Sequence, residues 1–151
     1  MIKGERTILK NQSKEKIDIV MVTFNRLEFL KKTIDAINEN TKHPYRIIVV
    51  DNNSSDGTCK WLVLAKGVGL ISEYLLLDKN LGLATGLSEG FKLVKSEYFV
   101  ATQDDLIPPD LDPCWLERLV DLFKKYEKDY GGIAMLSKRL LNKDYEQNST
   151  N

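Results

Sequence analysis

Apolar residues follow two alternating rhythms along this chain. Ile17-Asp18-Ile19-Val20-Met21-Val22-Thr23, Tyr45-Arg46-Ile47-Ile48-Val49-Val50 and Tyr74-Leu75-Leu76-Leu77 are short, nearly continuous apolar runs. Runs of that kind predict strands. Between the first two, Leu27, Leu30, Ile34 and Ile37 recur at helical spacing, and the pattern stops near Asn40, before the turn Lys42-His43-Pro44. A segment around Thr58 to Lys66 separates the second and third strands. A helix with a buried stripe of Leu83, Leu87, Phe91 and Val94 follows the third. Next comes Tyr98-Phe99-Val100-Ala101-Thr102, predicted to bury Phe99 and Ala101 on one face and Val100 and Thr102 on the other. Beyond Pro113, Trp115, Leu119, Leu122 and Tyr126 offer another apolar helical face, and Gly132-Ile133-Ala134-Met135-Leu136 reads as one more strand.

Short strands joined through helices become parallel neighbours with right-handed crossovers. The expected fold is therefore α/β, a three-layer α/β/α sandwich with a mostly parallel sheet. One domain is expected over 17–142, between a polar extension at 1–16 and a polar tail at 143–151. The 151 residues carry 22 basic and 22 acidic side chains, so the formal net charge is zero. No overall field draws such a chain to nucleic acid, and anion binding has to come from local groups. The polar start Met1-Ile2-Lys3-Gly4-Glu5-Arg6 lacks the apolar core of a signal peptide, so the cytoplasm is the expected compartment, with a membrane periphery as the alternative. Cys59 and Cys114 lack metal-finger or redox spacing and read as reduced packing residues. His43, the sole histidine, precedes a proline and reads as surface structure, which leaves a serine or cysteine triad without a base.

Chemistry concentrates where strands end. Gln103-Asp104-Asp105 finishes an apolar strand, at the carboxyl edge where open α/β sheets bind ligands. Two adjacent carboxylates expected at an exposed edge repel unless water or a cation intervenes, and their hard oxygens suit Mg²⁺ or Mn²⁺. A solvated turn before Pro108-Pro109 is the alternative. Asp51 closes another buried strand, and its carboxylate is suited to accept an N–H from uracil, thymine or guanine. The following Asn52-Asn53-Ser54-Ser55-Asp56-Gly57 also reads as a turn and helix cap. Asn80-Leu81-Gly82 opens a helix whose unpaired backbone N–H groups favour a diphosphate. Gly82, Gly86 and Gly90 do not make a G-x-G-x-x-G loop, and close helix-to-sheet packing explains them better.

In order and spacing, the strand ending Thr23-Phe24-Asn25-Arg26, the Asp51 loop, Asn80-Leu81-Gly82 and the Asp104-Asp105 pair resemble the nucleotide-sugar-binding half of family 2 glycosyltransferases with the GT-A fold. The resemblance covers Ile17 to about Lys138. It implies inverting transfer of a sugar from a UDP-, GDP- or dTDP-linked donor to an acceptor hydroxyl, with Mn²⁺ or Mg²⁺ as cofactor. By the same resemblance, Thr23 and Asp51 line the base pocket, and Asn25, Arg26 and Asn53 extend the donor site. Asn80 and Gly82 stand by the diphosphate. The family's D-x-D is read as Gln103-Asp104-Asp105, which makes Asp105 the principal metal ligand, with Asp104 beside it. Gln103 is left to bond a ribose hydroxyl or a metal-bound water. Leu87 and Ser88 replace an arginine and an asparagine common in the family, so a cationic contact to the donor is not expected there.

The resembling family takes its catalytic base from an acid well downstream of the metal site. With the chain ending at Asn151, the acceptor-binding portion is expected to be missing. Asp110, Asp112 and Glu117 are weak in-chain candidates for the base, placed by Pro109 and Pro113 where loop and cap chemistry also explains them. The alternative function is a truncated, non-catalytic donor-binding module acting with a partner chain or as a homodimer. A nucleotidyltransferase is disfavoured, because Thr23-Phe24-Asn25-Arg26 replaces the glycine-rich, lysine-containing loop it needs.

Overall fold

A computed structural model describes residues 14–126 and 138–139. The order is β1 (Ile17–Thr23), α1 (Leu27–Asn40), β2 (Tyr45–Asp51), α2 (Thr58–Gly67), β3 (Glu73–Leu76), α3 (Gly82–Phe91), β4 (Phe99–Gln103), β5 (Leu106–Ile107), α4 (Trp115–Tyr126) and β6 (Lys138–Arg139). Four strands form one parallel sheet in the order β3-β2-β1-β4, and β5 pairs antiparallel with β6. From β1 the chain steps outward to β2 and β3, then returns to the far side of β1 for β4. That reversal opens a crevice between the carboxyl ends of β1 and β4, the place where open α/β sheets take ligands. No helix among the described residues is long and apolar enough to cross a membrane.

The sheet has two differently covered faces. Ile17, Ile19, Met21, Ile47 and Val49 pack with Leu30, Ile34 and Ile37 of α1, Leu62 and Ala65 of α2, and Trp115, Leu116 and Val120 of α4. On the opposite face α3 lies against β1 and β2 through its glycines. An added Cβ at Gly86 would stand 3.0 Å from Val22 Cγ1, and one at Gly90 would stand 2.6 Å from Val20 Cγ1. The three layers are thus α1, α2 and α4, then the sheet, then α3. Buried Asp18 sets the entry to β4: its carboxylate accepts the backbone N–H groups of Lys95 and Ser96, and Arg46 stands 3.4 Å away.

Several expectations from the apolar pattern need correction. In α3 the buried residues are Gly86 and Gly90, while Leu83 and Phe91 are 46% and 37% exposed. Close approach of the backbone to the sheet turns the leucine and phenylalanine aside. β4 carries Phe99 and Ala101 exposed, because α3 lies mainly over β1 and β2. Phe99 instead meets Phe91, ring centroid to centroid 4.9 Å. In α4 the inward side is Trp115, Leu116 and Val120, and Leu122 and Tyr126 face outward. His43 is buried, its Nε2 2.8 Å from the Glu15 carbonyl oxygen. The strand expected at 132–136 lies outside the described residues, as does the tail at 143–151.

Candidate functional site

The loops that leave β1, β2 and β4 and the one that enters α3 meet at the carboxyl edge of the sheet. Strand register brings them level, with Thr23 opposite Asp51 and Val22 opposite Gln103. At the crevice, Thr23 donates its hydroxyl to Asp104 Oδ2 at 2.7 Å. The Arg26 guanidinium bridges the acidic pair, Nη2 to Asp105 Oδ2 at 2.9 Å and Nη1 to Asp104 Oδ1 at 3.3 Å. Thr33 of α1 donates to the Asp104 carbonyl oxygen, which fixes the backbone of the pair against the helix. The expectation of exposed carboxylates is overturned, since Asp104 is 3% and Asp105 0% exposed. Burial pushes the Asp104 carboxyl above its usual range, with Asp105 adding to the effect against the Thr23 hydroxyl and Arg26.

A second cluster joins the other loops. Asn52 is buried and acts as a hub: its N–H bonds the Thr23 carbonyl, its side-chain oxygen accepts the Leu81 N–H, and its amide donates to the Gly82 carbonyl. This ties the α3 entry to β1 and β2. Asn80 Oδ1 accepts the Gly82 N–H at 2.8 Å, and Gly82 takes φ +78°, a value that favours glycine. Asp51 is buried, and its two oxygens share the Ser54 N–H at 3.3 Å each. One shared donor among the described residues leaves a carboxylate with ample accepting capacity. Asn25 and Asn53 both have positive φ, and Asn25 bonds Ser54 and Ser55. Loops held in such sparsely populated conformations cluster at binding sites.

Asp56 caps α2 as the turn-and-cap pattern predicts, and it holds a second helix as well. Its Oδ2 accepts the Leu27 N–H at the start of α1, and its Oδ1 accepts the N–H and hydroxyl of Thr58 at the start of α2. Neither Arg26 nor Gly57, the residues at the two N-caps, supplies a side-chain cap of its own. Slight burial pulls the Asp56 carboxyl upward, but the hydrogen bonds from Thr58 and Leu27 outweigh it and hold the group below the usual carboxylate range. A depressed value means that the stabilisation is present above 3.8 and is lost as pH falls through the lower folded value. Asp56→Ala should therefore cost about 1 kcal/mol at neutral pH, and the difference from wild type should close in acid. Urea melts of both proteins along a pH series check this.

Of the residues named from sequence, Thr23, Arg26, Asp104 and Asp105 form one chain of contacts, and Asn25, Asp51, Asn80 and Gly82 line the adjoining loops. Gln103 ends β4 at the crevice. Glu117 lies elsewhere, paired with Lys14, while Asp110 and Asp112 are exposed in the loop before α4. Thr33 carries no signal in the sequence, whereas Asn52 and Asp56, expected in a turn and helix cap, link separate loops and helices. Among the described residues no three His, Cys, Asp or Glu side chains form a ready-made metal cage. Two buried carboxylates nevertheless offer the hard oxygens that Mg²⁺ or Mn²⁺ takes, and such ions complete their coordination with water and substrate phosphates. The donor set fits a divalent cation on that basis.

A family model described as "Glycosyl transferase family 2" matches residues 18–149. The poly(ribitol-phosphate) beta-N-acetylglucosaminyltransferase TarP of Staphylococcus aureus is 35% identical over 97 residues, 62% of this chain and 29% of that protein. Among solved structures, the mannosyltransferase PcManGT of Pyrobaculum calidifontis, in complex with GDP-Man and Mn²⁺, superposes with a TM-score of 0.65 at 21% identity. S. aureus TarS 1-349 in complex with UDP-GlcNAc gives 0.62 at 14% identity. The two alignments each cover 74% of this chain, and 33% and 32% of the respective structures. The chain thus spans about a third of the length of the proteins that it resembles.

Proposed function

The chain belongs to glycosyl transferase family 2, and from that membership we propose that it is the donor-binding part of an inverting glycosyltransferase dependent on a divalent cation. The reaction would move a sugar from a nucleoside diphosphate to an acceptor hydroxyl, in the cytoplasm or at a membrane's periphery. The observation that carries this reading is the convergence at the switch point of Asp51, the Asp104–Asp105 pair and the α3 entry. Asp51 accepts an N–H of the base, beside Thr23, with Asn25 and Asn53 framing the nucleoside. Asn80 and Gly82 present the α3 N-terminus to the diphosphate. Gln103 bonds a ribose hydroxyl, and Asp105, assisted by Asp104, holds Mn²⁺ or Mg²⁺. That ion, when bound, supplies Lewis-acid neutralisation of the leaving nucleoside diphosphate.

Activation of the acceptor needs a base outside this cluster, with Asp110, Asp112 and Glu117 as the in-chain candidates. A second reading, a non-catalytic donor-binding module completed by a partner chain, is supported by Phe91 of α3 and Phe99 of β4, both exposed at the edge of the sheet. Calorimetry against UDP-, GDP- and dTDP-sugars, with Mn²⁺ or with chelator, tests donor binding. One of the three donors should bind tightly with Mn²⁺, and Asp51→Ala should weaken it by roughly 1.5–3 kcal/mol through loss of a charged acceptor in a buried pocket. Unchanged affinity in Asp51→Ala would remove Asp51 from the base pocket. A product assay with acceptor hydroxyls then separates an enzyme from a binding module.

A further inference from the structure

We propose that Arg26 is a built-in competitor of the divalent cation, neutralising Asp104 and Asp105 until a nucleoside diphosphate and its metal arrive together. This inference rests on the donor-and-metal reading above and adds the residue that sets metal affinity. Its geometric basis is that the guanidinium already sits on the oxygens a cation would use, Asp105 Oδ2 and Asp104 Oδ1. The other oxygen of Asp104 is taken by the Thr23 hydroxyl. A metal bridging the pair through those two oxygens must therefore dislodge Arg26 or share its ligands with it.

The placement of Arg26 argues for exchange in preference to a fixed strut. Its side chain is 34% exposed, whereas the carboxylates beneath it are nearly sealed, so the guanidinium lies toward solvent and has room to leave. It occupies the N-cap position of α1, where a positive charge opposes the helix dipole. The acidic pair and the face of Phe29, 4.8 Å from the guanidinium carbon, hold it there. One guanidinium carries a single charge against two buried carboxylates, whereas a divalent ion matches both. Exchange is thus favourable in charge but opposed by two charge-assisted contacts that must break. A diphosphate lowers that opposition, because it supplies oxygens to the metal and an alternative planar-fork partner to the arginine. Metal and nucleotide then bind with positive coupling, each strengthening the other.

The test is titration of Mn²⁺ into wild type, Arg26→Gln and Arg26→Lys, followed by the spin-resonance signal of free Mn²⁺, first alone and then with saturating UDP or GDP. Without nucleotide, Arg26→Gln should bind Mn²⁺ about tenfold or more tightly than wild type, with Arg26→Lys between them. Nucleotide should narrow the gap by strengthening Mn²⁺ binding most in wild type. Mn²⁺ should also raise the thermal midpoint of Arg26→Gln more than that of wild type. Arg26→Lys retains a charge beside the pair and gives the same ordering should Arg26→Gln fail to fold. Equal Mn²⁺ affinity in wild type and the variants, with nucleotide binding still metal-dependent, overturns the competitor role and leaves the donor site standing. Absence of Mn²⁺ binding in all three proteins with nucleotide present overturns both.

Discussion

Asp105→Asn should remove most of the Mn²⁺-dependent affinity for a nucleotide sugar while leaving the fold intact. The residue lies two positions beyond the end of β4, is fully buried, and places Oδ2 2.9 Å from the Arg26 guanidinium. Asparagine keeps the volume and one oxygen but discards the charge that a hard cation needs. Loss of one charged ligand interaction of roughly 1.5–3 kcal/mol corresponds to about a tenfold to hundredfold weakening. Asp104→Asn should weaken binding less, since the Thr23 hydroxyl already satisfies one of its oxygens. Removing either charge also relieves repulsion within the pair, so thermal midpoints should hold. Calorimetry with Mn²⁺ and with chelator reads the effect. Equal metal-dependent affinity in Asp105→Asn and wild type would refute the ligand assignment.

Gly90→Ala should be the most damaging single methyl addition on the α3 face. The new Cβ would stand 2.6 Å from Val20 Cγ1 and 2.9 Å from Val50 Cγ2, and both valines are fully buried in central strands. Relief requires α3 to lift from the sheet, an overpacking cost of about 1–3 kcal/mol, offset by up to ~1 kcal/mol of helix propensity. At Gly86 the same methyl meets Val22 at 3.0 and 3.1 Å, so a smaller loss is expected. Urea unfolding should show the lower midpoint for Gly90→Ala with an unchanged slope. Because Asn52 ties the start of α3 to β1 and β2, lifting the helix should also weaken nucleotide binding.

How much of this was legible beforehand depends on how local each feature is. β1 and β2 were plain, since strands buried on both faces need unbroken apolar runs, and Asp51 and Asp104-Asp105 stood out as the polar ends of such runs. The inward face of α3 was misread because glycine packing leaves no apolar signature, while Leu83 and Phe91 do. Phe99 misled for a related reason: a strand's residues show which faces are apolar but not whether a helix reaches over them. The burial of Asp104 and Asp105 was hidden because the compensating cation, Arg26, lies 79 residues away. The same holds for Asp56, whose bond to Leu27 spans 29 residues.

The strand order β3-β2-β1-β4 also sets when the site can come into existence. Pairing of β1 with β2 needs only α1 between them, so that unit closes a short loop and can form early. Pairing of β1 with β4 waits for α2, β3 and α3 to be laid down, and the Thr23–Asp104 bond closes a span of 81 residues. Contacts of such high order carry a larger entropic cost and are made late in folding. Loop-closure entropy therefore predicts that the crevice is assembled last, on the seam where an early-forming half of the sheet receives its final strand. A partly folded chain can hold Asp51 in place and still lack the acidic pair, so metal binding at the proposed site would report completion of the sheet and not merely collapse of its core.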